Sequence, residues 1–118
     1  MNQERKAKPF DLKAYLKNVL RRASYRHSAR SEALKRARTA RNTYTCNDCK
    51  QSFPNKSVAV DHLQPVVNPE TGFTTWDDYI ARLFCGPDLL QVLCDTCHDA
   101  KTAREREIRK ATKARKAA

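Results

Sequence analysis

Four of the five cysteines form two Cys-x2-Cys pairs, a spacing that is typical of a metal site. Cys46 pairs with Cys49, and Cys94 pairs with Cys97. Two such pairs supply four thiolates, the ligand set of a tetrahedral zinc site. A redox role is the alternative, but neither pair lies in the βαβ pattern typical of thioredoxin-like proteins. We expect the fifth cysteine, Cys85, to be a small buried apolar residue.

A carboxylate and two imidazoles lie near these pairs in the sequence. Asp61 and His62 are adjacent, and His98 directly follows Cys97. A converging carboxylate and imidazole can hold a divalent metal beside a general base, which is the set that phosphodiester hydrolysis needs. On spacing alone the Asp-His pair is a weak signal. His98 as an alternative zinc ligand, or as a support for the zinc ligands, therefore stays open.

Hydrophobic periodicity predicts an α+β chain in which short elements position these residues. The predicted elements are a helix over residues 12–23, a second helix over 29–40, a strand over 57–60, a helix over 75–84, a strand over 90–93 and a helix from residue 96, with Asp95 as its N-cap. Beyond Ile108 no larger apolar residue follows. We therefore expect the tail of the last helix to fray or to order only on a partner.

The charge of the chain is strongly positive and unevenly distributed. The formal net charge of +11 divides into +10 over residues 1–45, −4 over residues 46–98 and +5 over residues 99–118. This charge exceeds what solubility requires, and neutralising phosphates is the simpler use. The candidates for nucleic-acid contact are Lys13, Lys17, Arg21, Arg22, Arg26, Lys35, Arg36, Arg38, Arg41, Lys101, Arg104, Arg106 and Arg109. Charge alone does not distinguish DNA from RNA.

Composition excludes several classes of protein. No apolar run is long enough to span a bilayer, and the first nine residues lack the apolar segment of a secretory signal. We therefore expect a cytoplasmic protein whose reduced thiols bind metal rather than form disulfides. A chain of 118 residues buries a thin core, which a structural zinc ion would offset.

The order of these motifs resembles that of the zinc-bearing HNH endonucleases, especially small free-standing phage-type members. The resemblance covers roughly residues 44–104, and its motifs are Cys46-x2-Cys49, Asp61-His62-x2-Pro65 and Leu-Gln-x-Leu-Cys94-x2-Cys97-His98-x2-Lys101-Thr102. It implies a ββα-metal (HNH/His-Me finger) core with a four-cysteine zinc site over residues 45–104. A basic helical arm, residues 1–44, would precede this core, and a basic tail, residues 105–118, would follow it.

The resemblance also implies an activity, the hydrolysis of DNA phosphodiester bonds by nicking or by double-strand cleavage. His62 would be the general base that activates water. Asp61 and His98 would hold one divalent cation, Mg²⁺ or Mn²⁺, and Lys101 would contact a neighbouring phosphate. An imidazole ligand favours a transition metal somewhat over Mg²⁺. The partner would be duplex DNA, and the source a phage whose protein works in the bacterial cytoplasm.

One position departs from the family pattern. Leu89 stands where members commonly have Asn, which braces the loop between the strands. Asp88 or Asn68 are the candidates to replace that Asn. The departure supports a first alternative, a catalytically impaired, zinc-stabilised DNA-binding module. A second alternative is a nuclease subunit that is active only with a phage packaging partner. We expect no membrane partner and no small-molecule cofactor.

Overall fold

The computed structural model describes residues 8–117 and confirms an α+β chain. The elements in chain order are α1 (Leu12–Ser24), α2 (Ser28–Ala37), β1 (Arg38–Ala40), β2 (Thr43–Thr45), β3 (Ser52–Phe53), β4 (Val58–His62), α3 (Trp76–Leu83), β5 (Leu90–Cys94) and α4 (Asp95–Ala117), with 3₁₀ helices at Asn55–Ser57 and Pro87–Leu89. Residues 1–7 of the predicted arm and Ala118 of the predicted tail lie outside the described residues. Across residues 8–117, no helix combines the length and apolarity needed to span a bilayer.

Two small antiparallel sheets make up the β structure. β1, β2 and β3 form one sheet in that order, and β4 pairs with β5 in the other. The register of the second sheet runs from Val58 opposite Cys94 to His62 opposite Leu90. Because α4 begins at the residue after β5, the chain turns directly from strand into helix, and α4 packs on both strands. α4 runs back along the strands, so Lys101 in its second turn reaches Asp61 and His62 at the end of β4.

α2 packs on the β4–β5 sheet through small side chains. Ala29 and Ala33 are buried in one cluster with Cys85 and Leu90. Alanine allows a helix backbone to approach a sheet closely, so a basic helix lies against the core with its charged residues outward. The sequence predicts this helix to end three residues later, at residue 40. It ends at Ala37 because the chain there enters β1 and pairs with β2.

α3 joins α1 to the rest of the molecule. The Thr75 hydroxyl caps α3 by accepting the backbone N–H three residues on, at 3.1 Å. Tyr79 is buried, and its hydroxyl donates to the backbone carbonyl of Lys17 in α1 at 3.2 Å. Leu83 is buried in the same cluster. Ile80, which the apolar pattern assigns to the buried face, is 41% exposed because only the side with Tyr79 and Leu83 is covered.

α4 is longer than the sequence predicts. It continues to Ala117, whereas the loss of apolar residues predicts fraying beyond Ile108. Two contacts explain the difference. Thr112 is buried, and Lys116 Nζ donates to the backbone carbonyl of Thr71 at 3.1 Å. The last turns of α4 therefore lie against the long β4–β5 connection, and that contact does not depend on an apolar stripe.

Candidate functional site

The four cysteines of the two pairs converge on one point. Cys46 and Cys49 lie on the turn between β2 and β3, Cys94 ends β5, and Cys97 lies in the first turn of α4. Their Sγ atoms all lie within 4.8 Å of one another, and the Cys49 and Cys94 sulfurs are 4.0 Å apart. A tetrahedral zinc ion with Zn–S bonds of about 2.3 Å sets its sulfurs about 3.8 Å apart. The cluster therefore fits a zinc ion, and the predicted convergence of the cysteines is confirmed.

The backbone of the first pair folds into a tight turn that aims both thiols inward. The Cys46 N–H donates to the Gln51 carbonyl at 2.9 Å, and the Lys50 N–H donates back to the Cys46 carbonyl at 3.0 Å. Lys50 adopts a left-handed conformation with φ 63°, which a side chain other than glycine adopts only at a cost. The Asn47 N–H donates to the Val92 carbonyl of β5 at 2.8 Å. This last bond ties the turn to the second sheet.

The surroundings of the thiols favour a bound metal. Burial, the largest influence, raises the pKa of the Cys46 thiol, but backbone amides of Cys94, Cys49 and Asp48 outweigh burial and lower that pKa to about 6. The thiolate is the form that binds metal. The Cys94 thiol, burial and the other two thiols raise the pKa of Cys97. Several thiolates this close together repel one another, and a divalent cation relieves that repulsion.

Cys85 lies apart from this cluster, as the sequence predicts. It is 8% exposed and packs with the alanines of α2. Burial raises the pKa of its thiol, so at neutral pH it stays protonated. Its carbonyl accepts a hydrogen bond from Nε2 of His27 at 3.2 Å. Cys85 is therefore a packing residue.

Asp61 lies where β4 meets α4, with its side chain 17% exposed. Its Oδ1 is 3.8 Å from Nε2 of His98. Its Oδ2 accepts from Nζ of Lys101 at 2.9 Å and from Nε2 of Gln91 at 3.4 Å. The structure thus brings together Asp61 and His98, the carboxylate and the imidazole that the resemblance pairs as metal ligands. A carboxylate and an imidazole at this separation are able to share a cation.

His62 is held by a carbonyl from the long β4–β5 connection. Its Nε2 is 3.0 Å from the backbone oxygen of Leu83. Because a carbonyl only accepts, the proton of the neutral ring lies on Nε2, and Nδ1 carries the free lone pair. Burial lowers the pKa of His62, and the positive charges of Arg30 and Arg21 lower it further. These effects outweigh the Leu83 hydrogen bond and the Asp61 charge, which raise it. The imidazole is therefore neutral at pH 7.

These residues line one cleft of about 270 Å³. Its walls include Asp61, His62 and His98, together with Arg21 from α1 and Arg109 from α4. A neutral imidazole, a carboxylate and two guanidinium groups thus border the same space. This combination can bind an anion and accept a proton next to it.

Two residues of the site have roles that sequence reasoning missed. Lys101, which the resemblance assigns to a phosphate, pairs with Asp61 at 2.9 Å and donates to the backbone carbonyl of His62 at 3.0 Å and to Glu105 at 3.0 Å. The four-residue spacing from Lys101 to Glu105 was a usable signal for the last contact. Gln91 gave no such signal, because only the strand register places it opposite Asp61.

The residues predicted to contact DNA differ in exposure. Those that are exposed are Lys13, Arg21, Arg22, Arg26, Lys35, Arg36, Arg38, Arg41, Arg104, Arg106 and Arg109, and those that are half-buried are Lys17 and Lys101. Three of the exposed residues already have partners. Arg38 Nε donates to the backbone carbonyl of Ala40 at 3.3 Å. Lys13 Nζ lies 4.1 Å from the centre of the Phe73 ring, and Arg36 pairs with Asp88 at 2.6 Å.

The end of β4 is braced by backbone groups. The Leu63 N–H donates to the Leu89 carbonyl at 2.9 Å, while the Leu89 side chain is 46% exposed. The two candidates for replacing the family Asn make other bonds. Asp88 pairs with Arg36, and the Asn68 side chain accepts the backbone N–H two residues on, at 2.8 Å. A leucine at position 89 is therefore compatible with the strand geometry.

Comparison of the chain with protein-family models, with curated proteins and with solved structures found no significant match. The described residues define an α+β protein with a four-cysteine cluster that could hold a metal. A cleft with a carboxylate, two imidazoles and flanking arginines adjoins the same strand pair and helix.

Proposed function

We propose that the protein is a zinc-stabilised, metal-dependent HNH endonuclease that hydrolyses phosphodiester bonds of duplex DNA. The observation that carries the proposal is the approach of Asp61 to His98 at 3.8 Å, with His62 in the same cleft. β4 carries Asp61 and His62, β5 leads directly into α4, and α4 carries His98. This order of strand, strand and helix is the one that a ββα-metal core requires.

The four-cysteine cluster would hold the structural zinc. Around it the apolar core is small, with Leu93 and the half-buried Phe53 packed against Cys46, Cys94 and Cys97. A core of this size contributes little alone, so bound zinc would supply folding free energy directly. The zinc site would fasten the β2–β3 turn to the start of α4.

Asp61 and His98 would hold the second, divalent cation. When bound, Mg²⁺ or Mn²⁺ neutralises charge on the phosphate and on the leaving oxygen. The two side chains, 3.8 Å apart, would be its protein ligands. Two protein ligands leave room for phosphate oxygens and water.

His62 would be the general base. Its Nδ1 carries the free lone pair and accepts a proton from the attacking water, while the Leu83 carbonyl holds the ring through Nε2. The lowered pKa keeps the ring neutral before the reaction. The Asp61 charge favours the imidazolium that forms. Arg21 and Arg109, which both line the cleft, would contact the phosphates.

A plasmid-nicking assay tests the proposal. Zinc-loaded protein is incubated with supercoiled plasmid in EDTA and then with Mg²⁺, Mn²⁺ or Ni²⁺. We expect metal-dependent nicking that His62→Ala lowers by at least about 100-fold, with zinc content and DNA affinity unchanged. His27→Ala is the matched control, since His27 also bonds a backbone carbonyl through Nε2 but does not line the cleft. Wild-type cleavage by His62→Ala would contradict the assignment of the base.

The second candidate is a zinc-stabilised DNA-binding module without catalysis. It is favoured by one observation, the ion pair that Lys101 already makes with Asp61 at 2.9 Å. This candidate predicts salt-sensitive DNA binding and no scission with any metal. Scission that appears only when a phage packaging protein is added would instead indicate a partner-dependent subunit.

A further inference from the structure

The ammonium group of Lys101 is enclosed by three acceptors. Its Nζ lies 2.9 Å from Asp61 Oδ2, 3.0 Å from Glu105 Oε1 and 3.0 Å from the His62 carbonyl. An ammonium has three donors, and each of them here has a partner. The side chain is 17% exposed. Lys101 is therefore a fixed positive charge inside the cleft wall, unlike the exposed lysines of the same helix.

The two carboxylate oxygens of Asp61 have different partners. Oδ2 accepts from Lys101 and Gln91, whereas Oδ1 faces His98. A cation held between Oδ1 and His98 would share its only carboxylate with an ammonium group. The ammonium is shared between the Asp61 and Glu105 carboxylates, so it balances part of the Asp61 charge. It also repels the cation, and at a half-buried site this repulsion is only partly screened.

We infer that Lys101 is a built-in counter-cation of Asp61, which weakens divalent-cation binding by the free protein and makes that binding depend on a DNA phosphate. The inference rests on the proposed function, because it assumes a cation at Asp61 and His98. A phosphate entering the cleft brings negative charge that makes up for the part of the Asp61 charge offset by Lys101. Binding of DNA then raises the affinity for the cation, and binding of the cation raises the affinity for DNA by the same factor. Glu105 also pairs with Lys101, at 3.0 Å, and so helps to fix the position of the ammonium group.

A Mn²⁺ titration followed by electron paramagnetic resonance tests the inference without any cleavage step. The titrated proteins are zinc-loaded wild type, Lys101→Met, Lys110→Met and Asp61→Asn. Lys110 is the matched control, because it lies on the same helix with its side chain 69% exposed and pairs only loosely with Glu107, at 3.6 Å. The titration is repeated with a duplex oligonucleotide in a His62→Ala background, so that the DNA stays intact.

Without DNA, we expect Lys101→Met to bind Mn²⁺ about tenfold more tightly than wild type, and Lys110→Met to bind it as wild type does. With DNA, the wild-type sequence at position 101 gains more Mn²⁺ affinity than Lys101→Met. Equal or weaker binding by Lys101→Met, alongside Asp61-dependent binding and plasmid nicking by wild type, would overturn the inference alone. Mn²⁺ binding that Asp61→Asn leaves unchanged in every sample would overturn the proposed function and the inference with it. If thermal melting shows that Lys101→Met is unfolded, Lys101→Gln makes the same test.

Discussion

Gln91 links the cysteine cluster to the cleft through its side-chain amide. Its Oε1 accepts from Nδ2 of Asn47 at 2.8 Å, and its Nε2 donates to Oδ2 of Asp61 at 3.4 Å. Asn47 lies inside the first Cys-x2-Cys pair, so a single residue spans the distance between the two sites. Gln91 therefore orients the Asp61 carboxylate, whose other oxygen faces His98.

Replacing Gln91 with leucine removes both hydrogen bonds at similar volume. We expect the nicking rate of Gln91→Leu to fall about fivefold, which corresponds to one net hydrogen bond of about 1 kcal/mol. Zinc content should stay at the wild-type level. Gln51→Leu, at an exposed position, serves as the control and should cleave normally. A wild-type rate for Gln91→Leu would mean that Lys101 alone orients Asp61.

Two cysteine substitutions separate a ligand from a packing residue. Cys97→Ser removes one of four converging thiols, and we expect it to lose most of its zinc and to unfold at lower urea concentration. Cys85→Ser places a hydroxyl in a buried apolar cluster, which costs about 1–3 kcal/mol of unfolding free energy. It should nevertheless retain about one zinc per chain. Metal analysis of both proteins checks this, and zinc loss from Cys85→Ser would contradict the assignment.

At the scale of elements, α2 belongs to the core although its composition indicates a charged arm. Its buried side consists of Ala29 and Ala33. Arg30 on the same helix donates through Nη2 to the Val60 carbonyl of β4 at 3.1 Å. α2 therefore contacts β4, the strand that carries Asp61.

A larger side chain at position 33 should separate α2 from the sheet. We expect Ala33→Leu to lower the free energy of unfolding by about 1–3 kcal/mol, because the close helix-to-sheet contact has no room for three more carbons. Ala103→Leu, at an exposed position of α4, should stay within about 0.5 kcal/mol of wild type. Urea unfolding of the zinc-loaded proteins measures both. Equal stability of the two variants would mean that α2 is a detached arm in solution.

The elements that sequence could predict are those with enough residues to show a period. β4, β5 and α3 follow alternating or helical apolar patterns, and each lies within two residues of its expected position. β1, β2 and β3 have two or three residues each, too few for a pattern, so the sheet under the first cysteine pair was not foreseen. The cysteines could be found from their spacing, and Asp61 from the resemblance in motif order. The partners of Asp61 could not, because they depend on strand register and on helix phase.

At the scale of the whole molecule, two basic segments that are distant in sequence border the same cleft. Arg21 lies near the end of α1, and Arg109 lies four turns into α4, a helix about 35 Å long. The acidic middle of the chain lies between them. If the protein binds DNA as proposed, this distribution of charge draws the polyanion toward the cleft.

The position of a charge, and not only its sign, should decide its effect on DNA binding. Arg22→Ala removes one positive charge at the end of α1, beside the cleft residue Arg21. We expect it to weaken duplex binding and to reduce the slope of log K against log salt by about 1. Lys56→Ala removes the same charge from the 3₁₀ helix before β4 and should change the slope less. Fluorescence anisotropy at several salt concentrations measures both slopes. If Arg22→Ala changed the slope no more than Lys56→Ala does, the arm would make no phosphate contact at this point.

The pairing of Val58 with Cys94 bears on how such a chain can diverge. Most hairpins take their alignment from a tight turn, whereas here the far end of the strand pair is pinned by the thiol cluster. The segment over residues 63–89 therefore does not have to set the register of β4 and β5, so its length can change by insertion or deletion. The same segment supplies the Leu83 carbonyl that holds the ring of His62 and the buried side chains of Tyr79, Leu83 and Cys85. Changes of length are therefore tolerated in its exposed turns, away from those buried residues.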